Sequence, residues 1–363
     1  MVDYTENWEK TKKRFEAFWQ GEILDRCMVA VFAPKPNASL KTFEFPEGEE
    51  DRKKCWTDGE YILNRKLNYF ENTYFGGDAF PQIMLDLGTA GHAGFFKGSR
   101  YEFEKKTIWF SPVIDDIETF NLEFDETTFL YKKTIELAEY LVNESKGRYF
   151  VSMPDVSGNL DALAHLRGTE NLLVDILTEE DWVLNSLEKI QASWKASLEK
   201  VFDIVIKNNE NGSTIGWLNT WAEGRHSQMQ CDISVMISAE MFQKYVMDEL
   251  RAQCNYLDKS LYHFDGIEQI RHLDMMLSID KLDAIQWTCV AGQPSPVEFL
   301  PALKKIQSAG KKLVIPFREN FSIKDFEILL RELSSKGLMI ITSAASKEEA
   351  DHLIKIAEKL THE

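Results

Sequence analysis

Eight short apolar runs, each bounded by polar residues or glycine, recur along the chain: MVAVFA (28–33), QIMLDL (82–87), YFVSM (149–153), TIGWL (214–218), SLYHF (260–264), DAIQW (283–287), KLVIPF (312–317) and LMIITS (338–343). Runs of this length and composition read as buried strands. Most pairs are separated by helical pattern, as in 238–260, where Met241, Phe242, Tyr245 and Leu250 recur at helical spacing. Two later helices open with a serine and an acid three residues on, Ser322/Asp325 and Ser346/Glu349, which is capping-box chemistry. The alternation predicts an α/β protein of the (β/α)8 TIM-barrel type over residues 1–363, a single domain with an N-terminal helical extension over 1–27. A doubly wound sheet is the alternative arrangement. Long early insertions, 34–80 and 88–148, carry helices and a hairpin around Tyr101–Phe110, and in a barrel they would wall or cover the site.

The barrel expectation places chemistry where strands end. Asp86 ends the second run, Asp155 follows the third, and Asn219, Trp221 and Glu223 follow the fourth. His263 and Asp265 end the fifth, Gln286 and Trp287 the sixth, Arg318 and Glu319 follow the seventh, and Ser343 ends the eighth. Strand ends also meet water in any barrel, so each residue has a plain solvation reading beside the functional one. In SLYHFDG, step-two spacing puts Leu261, His263 and Asp265 on one face and Tyr262 and Phe264 on the other.

His263 and Asp265 admit three readings: ligands to a metal that needs further donors, an acid/base pair whose carboxylate orients the imidazole, or the polar end of a core strand. In HSQMQCDIS, Cys231 and Asp232 are the nearest further donors in kind, with His226 five residues before Cys231. The metal reading takes His263, Cys231 and Asp265 as its set, although a lone cysteine is as often a small hydrophobe. Trp217, Trp221 and Trp287 could floor a pocket for a flat ligand or simply fill the core. VAGQPSP, with Cys289, reads as a turn. Dinucleotide-binding, P-loop and HExxH patterns are absent.

Charge narrows the partners. With 59 acidic and 42 basic side chains the net charge is −17, a balance that repels nucleic acid and anionic lipid. The early segment WEKTKKRFEAFWQGEI has charge in every turn, and no apolar run approaches the roughly 18 residues of a membrane span. Five cysteines without a CxxC pair suit a reducing compartment. The expectation is a soluble cytoplasmic protein with a small-molecule substrate, a homodimer being left open.

The order of the later segments adds a resemblance. CDISVMISAEMFQKYVMDEL, SLYHFDG, LDAIQW, GKKLVI and GLMIITSAASKEEADHLI, preceded by YFVSMPDVSGNLDALAHLRGTENLLVDILTEEDWV, resemble the uroporphyrinogen decarboxylase superfamily from about residue 145 to the C-terminus. The resemblance implies the barrel fold and either a metal-free decarboxylase or a zinc-dependent methyltransferase that works with a corrinoid protein or a thiol. The arginine-rich motif that binds propionates in the decarboxylases is missing; DRCMVAVFAPKPNASL has Arg26 alone. The methyltransferases carry His-x-Cys where this chain has His263-Phe264-Asp265, and a late cysteine where it has Ser343 or a neighbour. An uncharacterised branch near the corrinoid-dependent methyltransferases shares the HLDG-like and IQW segments. The leading expectation is a methyltransferase for a small methylated compound or a corrinoid-bound methyl group, with zinc as the implied metal. A carboxy-lyase acting on a tetrapyrrole or smaller acid, with Asp86, Asp155, His263 and Asp265 as its acids and bases, is the second. A non-catalytic barrel that binds a corrinoid or a partner is the third.

Overall fold

Strands buried on both faces need a cover on each side, and the chain supplies it with helices. A computed structural model describes residues 4–5, 7–43, 46–89, 91–288, 292–318 and 321–363. Its strands are β1 (Met28–Pro34), β2 (Thr73–Gly77), β3 (Gln82–Met84), β4 (Arg100–Phe103), β5 (Ile108–Ser111), β6 (Phe150–Ser152), β7 (Gly212–Ile215), β8 (Thr220–Glu223), β9 (His226–Met229), β10 (Lys259–Phe264), β11 (Ala284–Trp287), β12 (Lys312–Pro316) and β13 (Leu338–Ser343). Every residue of β11, and all of β13 except its last, is buried, as expected of parallel strands with helices on both faces.

The result is a mixed α/β architecture around a seven-stranded sheet of order β2-β1-β13-β12-β11-β10-β9, parallel throughout except for β2 against β1. A second parallel pair, β3 with β6, continues toward β7 through the bridge Met153↔Ile215. The hairpin expected around Tyr101–Phe110 is the β4–β5 pair. Ser322 and Ser346 cap their helices by accepting the amides of Asp325 and Glu349 at 3.1 and 3.2 Å.

The fourth apolar run is where the sequence reading needs correcting. TIGWL does not continue as one parallel strand; β7 ends at Ile215, turns, and pairs antiparallel with β8. The turn uses Asn219 in the left-handed region (φ 52°), a conformation that short polar side chains tolerate better than most. The parallel neighbour of β10 on that side is β9, which lies inside the HSQMQCDIS segment, outside all eight apolar runs. Its polar residues are buried by local bonding: His226 N–H donates to Ser213 Oγ at 2.6 Å, and the His226 ring contacts Thr220 Oγ1 and the Lys259 carbonyl, both at 2.9 Å. A hydropathy pattern does not register such pairing.

The helix Trp8–Gln20 packs Trp8 edge-on against Phe80, Phe150 and Trp221, with ring centroids 5.4, 4.8 and 5.7 Å away. A buried charge cluster anchors this helix to β1. Asp78 accepts from Arg14 Nη1 at 2.9 Å, Arg26 Nη1 at 2.6 Å and the Val29 amide at 2.9 Å, while Arg14 also grips Asp25. Arg26, alone where the propionate-binding motif would lie, is therefore a structural residue. Removing one partner from such a group leaves its cations buried without a counterion. Asp78→Ala is expected to cost about 3–5 kcal/mol of unfolding free energy, read as a lowered urea midpoint; a midpoint shift under about 1 kcal/mol would show that the cluster does not anchor the helix.

Candidate functional site

The parallel register sets His263 beside Gln286 and Phe264 beside Trp287. Strand alternation therefore sends His263 and Gln286 to one face and Phe264 and Trp287 to the other. Gln286 Nε2 donates to Thr288 Oγ1 at 2.7 Å, which turns its Oε1 toward His263 Nδ1, also at 2.7 Å. Because that oxygen can only accept, Nδ1 must carry a proton, and Nε2 is left to face Asp265 Oδ1 at 3.2 Å. Trp217 closes the side, its ring edge-on to His263 at 6.2 Å and its Nε1 3.5 Å from Gln286 Oε1.

The chain turns sharply after Asp265 at Gly266 (φ 64°), where a side chain would also strike Gln293. Gln269, fully buried, binds the Asp265 amide through Oε1 at 3.2 Å and the Cys231 carbonyl through Nε2 at 3.1 Å. The loop after β9 thus lies against the loop after β10. Asp161 secures the same loop from the other side, accepting the amides of Gly158, Asp232 and Ile233 at 3.1, 2.9 and 2.9 Å. Gly158 permits this approach, since a Cβ there would lie 2.2 Å from the Gln230 carbonyl oxygen.

These contacts bring Asp232, His263 and Asp265 together, with one ligand atom from each lying within 4.8 Å of the others. Among the described residues this is the only cluster of three or more His, Cys, Asp or Glu side chains close enough to share an ion. Cys231 lies outside it. Its side chain is fully buried, and burial drives its thiol well above the ordinary range, with the charges of Asp161, Glu249 and Asp232 adding to the effect. Asp232, open to solvent at the rim, takes the place the sequence reading gave to Cys231.

The acids around the cluster are held high. Asp155 is raised well above the carboxylate range by burial, then by Asp232, against a smaller opposing pull from His263; Gln228 Nε2 lies 3.4 Å from it. Burial and Asp232 raise Asp161 to about 7, and burial raises Glu249 to about 8. Asp232 is also raised, by the atoms crowded around its inner side and by Asp265, against an opposing pull from His263. His263 moves with them: burial lowers it, but the bond and charge of Asp265, the charge of Asp232 and the bond to Gln286 outweigh burial and lift it to about 9.

The other expected site residues divide. Arg318, Asn219 and Ser343 line a cavity of about 320 Å³ bounded by Trp217, and Asp86 lines an adjoining one of about 240 Å³ that shares Trp217. Asn219 lies there mainly as a clamp, holding both the amide and the carbonyl of Phe80. Trp221 is core: its Nε1 donates to the Asn209 carbonyl, and its ring meets Trp8 and Phe15. Trp287 is buried between Phe264 and Phe299 on the far face of its strand. Glu223 ends β8 opposite Gly212, exposed and away from the cluster. His226 stacks edge-on against Trp19, and burial depresses it to about 4. Cys289 and Glu319 lie outside the described residues. Thr288 and Lys66 went unnoticed in the sequence; Thr288 carries a faint signal, being two residues after Gln286 and so on its face.

No protein-family model matches the chain, and no curated protein does. A solved structure does: a methyltransferase from Methanosarcina mazei superposes with a TM-score of 0.62 at 11% identity, covering 96% of this chain and 98% of the other. The likeness spans both chains almost completely and shows a shared fold. Among the described residues no helix is long and apolar enough to cross a membrane.

A raised histidine pKa stabilises the fold fully below its unfolded value near 6.5 and loses that contribution as pH rises through about 9. In metal-free protein, the His263 ring signals should titrate with a midpoint near 9, and Asp265→Asn should lower that midpoint by at least one unit. An unchanged midpoint would show that Asp265 does not hold the proton.

Proposed function

We propose that the chain is a methyltransferase whose parallel strands close into a (β/α)8 barrel of the uroporphyrinogen decarboxylase type, with Asp232, His263 and Asp265 as the ligand set for zinc. The observation that carries this reading is the cluster itself, at the C-terminal end of β10 and in the loops after β9 and β10, with the second nitrogen of His263 already engaged by Gln286. A histidine oriented in this way through its outer ring nitrogen is how metal-binding imidazoles are held. The donors also fit: one imidazole and two carboxylates make a harder, less electron-rich site than His-x-Cys would, suited to a borderline divalent ion. The methyltransferase with the same fold supports the reaction class, whereas the carboxy-lyase alternative gains nothing from that likeness.

When bound, the metal would supply Lewis-acid activation of a substrate heteroatom. Gln286 and Thr288 fix the imidazole, and Gln269 and Asp161 hold the two carboxylate loops in register. Trp217 shields His263 from water on one side. In a methyl transfer the acceptor's lone pair forms the new bond to carbon, and the donor keeps the old bond pair. Asp155, whose carboxyl burial and the charge of Asp232 push toward the protonated form, is placed beside the cluster to give a proton to a departing heteroatom. The substrate would be a small methylated compound or a corrinoid-bound methyl group presented by a partner protein.

Purified without a histidine tag, the protein is expected to bind one zinc per chain by elemental analysis, and His263→Ala to bind none. Gln286→Leu should weaken zinc about 10–100-fold while leaving the ligands in place. Zinc affinity should rise with pH up to about 9 as the His263 proton becomes easier to displace. Methyl loss from methylcobalamin to a thiol, followed by absorbance, should vanish on chelation and return with zinc. Full methyl transfer by chelated protein, or zinc binding unaffected by His263→Ala, would sink the assignment.

A further inference from the structure

The cavity beside the cluster has a chemistry of its own. It measures about 320 Å³, and Trp217, Gln82, Tyr69, Ser343 and two cations, Lys66 and Arg318, line it. Among the described residues neither cation forms an ion pair or a hydrogen bond with a carboxylate. Asp86 acts on Lys66 only through space. Arg318 lies over the Phe32 ring at 5.4 Å, a contact that orients the guanidinium. Burial, then the neighbouring charge of Arg65, lowers Lys66 against an opposing pull from Asp86, and the atoms around Arg318 lower it although its side chain still reaches solvent.

The setting makes the pair more telling. The chain has a net charge of −17, yet a further cavity of about 420 Å³, sharing Lys66 and Tyr69 with the first, adds Lys41 and Arg65. Four cations therefore gather on one approach, while the carboxylates Asp155, Asp161, Asp232 and Asp265 lie on the His263 side. Trp217 is common to the two regions: it lines the cavity, and its ring lies edge-on to His263 at 6.2 Å. A ligand that spans this wall meets positive charge at one end and the reactive cluster at the other.

We propose that Lys66 and Arg318 form an oxyanion subsite, so that the substrate is a small anion whose carboxylate, sulfonate or phosphate group docks there while its reacting end reaches His263. This assignment of substrate class rests on the methyltransferase reading for what happens at His263, but the anion site itself is measurable without it. Arg318 supplies a planar fork of donors, and Lys66 supplies a point charge, a combination suited to a terminal oxyanion. The cationic approach steers such a ligand in against the overall negative field.

Isothermal titration of the full chain with succinate, ethanesulfonate and inorganic phosphate tests the proposal and separates the three anion chemistries. At least one is expected to bind saturably, more weakly as ionic strength rises. Lys66→Gln with Arg318→Gln together should weaken it tenfold or more, each alone less, and Lys66→Arg should retain it. Thermal unfolding of each variant by circular dichroism shows whether the fold is intact; should the double variant not fold, the two single variants carry the comparison. No saturable binding of any of the three anions would overturn the subsite, as would unchanged affinity in the folded double or single glutamine variants. Binding that survives these changes but disappears in His263→Ala would place the anion at the cluster instead and equally overturn it. Failure of zinc binding with anion binding intact would refute the metal reading and leave the subsite standing.

Discussion

The geometry of the candidate site depends on one buried carboxylate that does not belong to it. Asp161 receives three backbone amides, two of them from Asp232 and Ile233, and so fixes the loop after β9 against the start of the helix Asn159–Arg167. Without those bonds the amides would be buried and unsatisfied, a cost of about 1–3 kcal/mol each. Gln269 performs the matching task from the β10 side by joining the Asp265 amide to the Cys231 carbonyl. The two loops that carry the site's carboxylates are thus set by side chain to backbone bonds, and the distance from Asp232 to His263 follows from them.

That arrangement concentrates acid groups in a way that only function or a compensating charge makes stable. Asp155, Asp161 and Glu249 are each raised by burial, and Asp232 at the rim acts directly on the first two. His263 lies beside them, and its proton is held by the bond and charge of Asp265, the charge of Asp232 and the bond to Gln286. On the zinc reading proposed above, a divalent ion would serve the same electrostatic need more fully, and the proton-holding histidine and the metal-ligating one would be two states of one site. Lys66 and Arg318, which among the described residues bond to no carboxylate, line the cavity that shares Trp217 with this side.

Much of the frame was legible from periodicity. Seven of the eight apolar runs overlap strands with parallel pairing, and the capped helices at Ser322 and Ser346 begin where the serines stand. The fourth run failed because β9 is polar in sequence and apolar in effect: His226, Ser227 and Gln228 are buried by bonding to one another's surroundings rather than by hydropathy. The same error displaced Trp221 and Glu223 from the site. Trp287 was lost for a different reason, since being at a strand end says nothing of which face a side chain takes until a neighbour's register is known.

What the sequence determined by itself was local: where seven of the parallel strands and the capped helices lie, that His263 and Asp265 share a face, and that the chain carries a charge that repels nucleic acid. These follow from periods of two and 3.6 residues and from side-chain charge, which need no partner to be read. Tertiary structure alone decided which third polar side chain lies beside the pair. Cys231 and Asp232 are adjacent, and the choice between them rests on which side of the backbone Asp161 and Gln269 hold. It also decided that Lys66, nearly two hundred residues before His263 in the chain, stands across a single tryptophan from it, because chain separation carries no information about distance once the loops have packed.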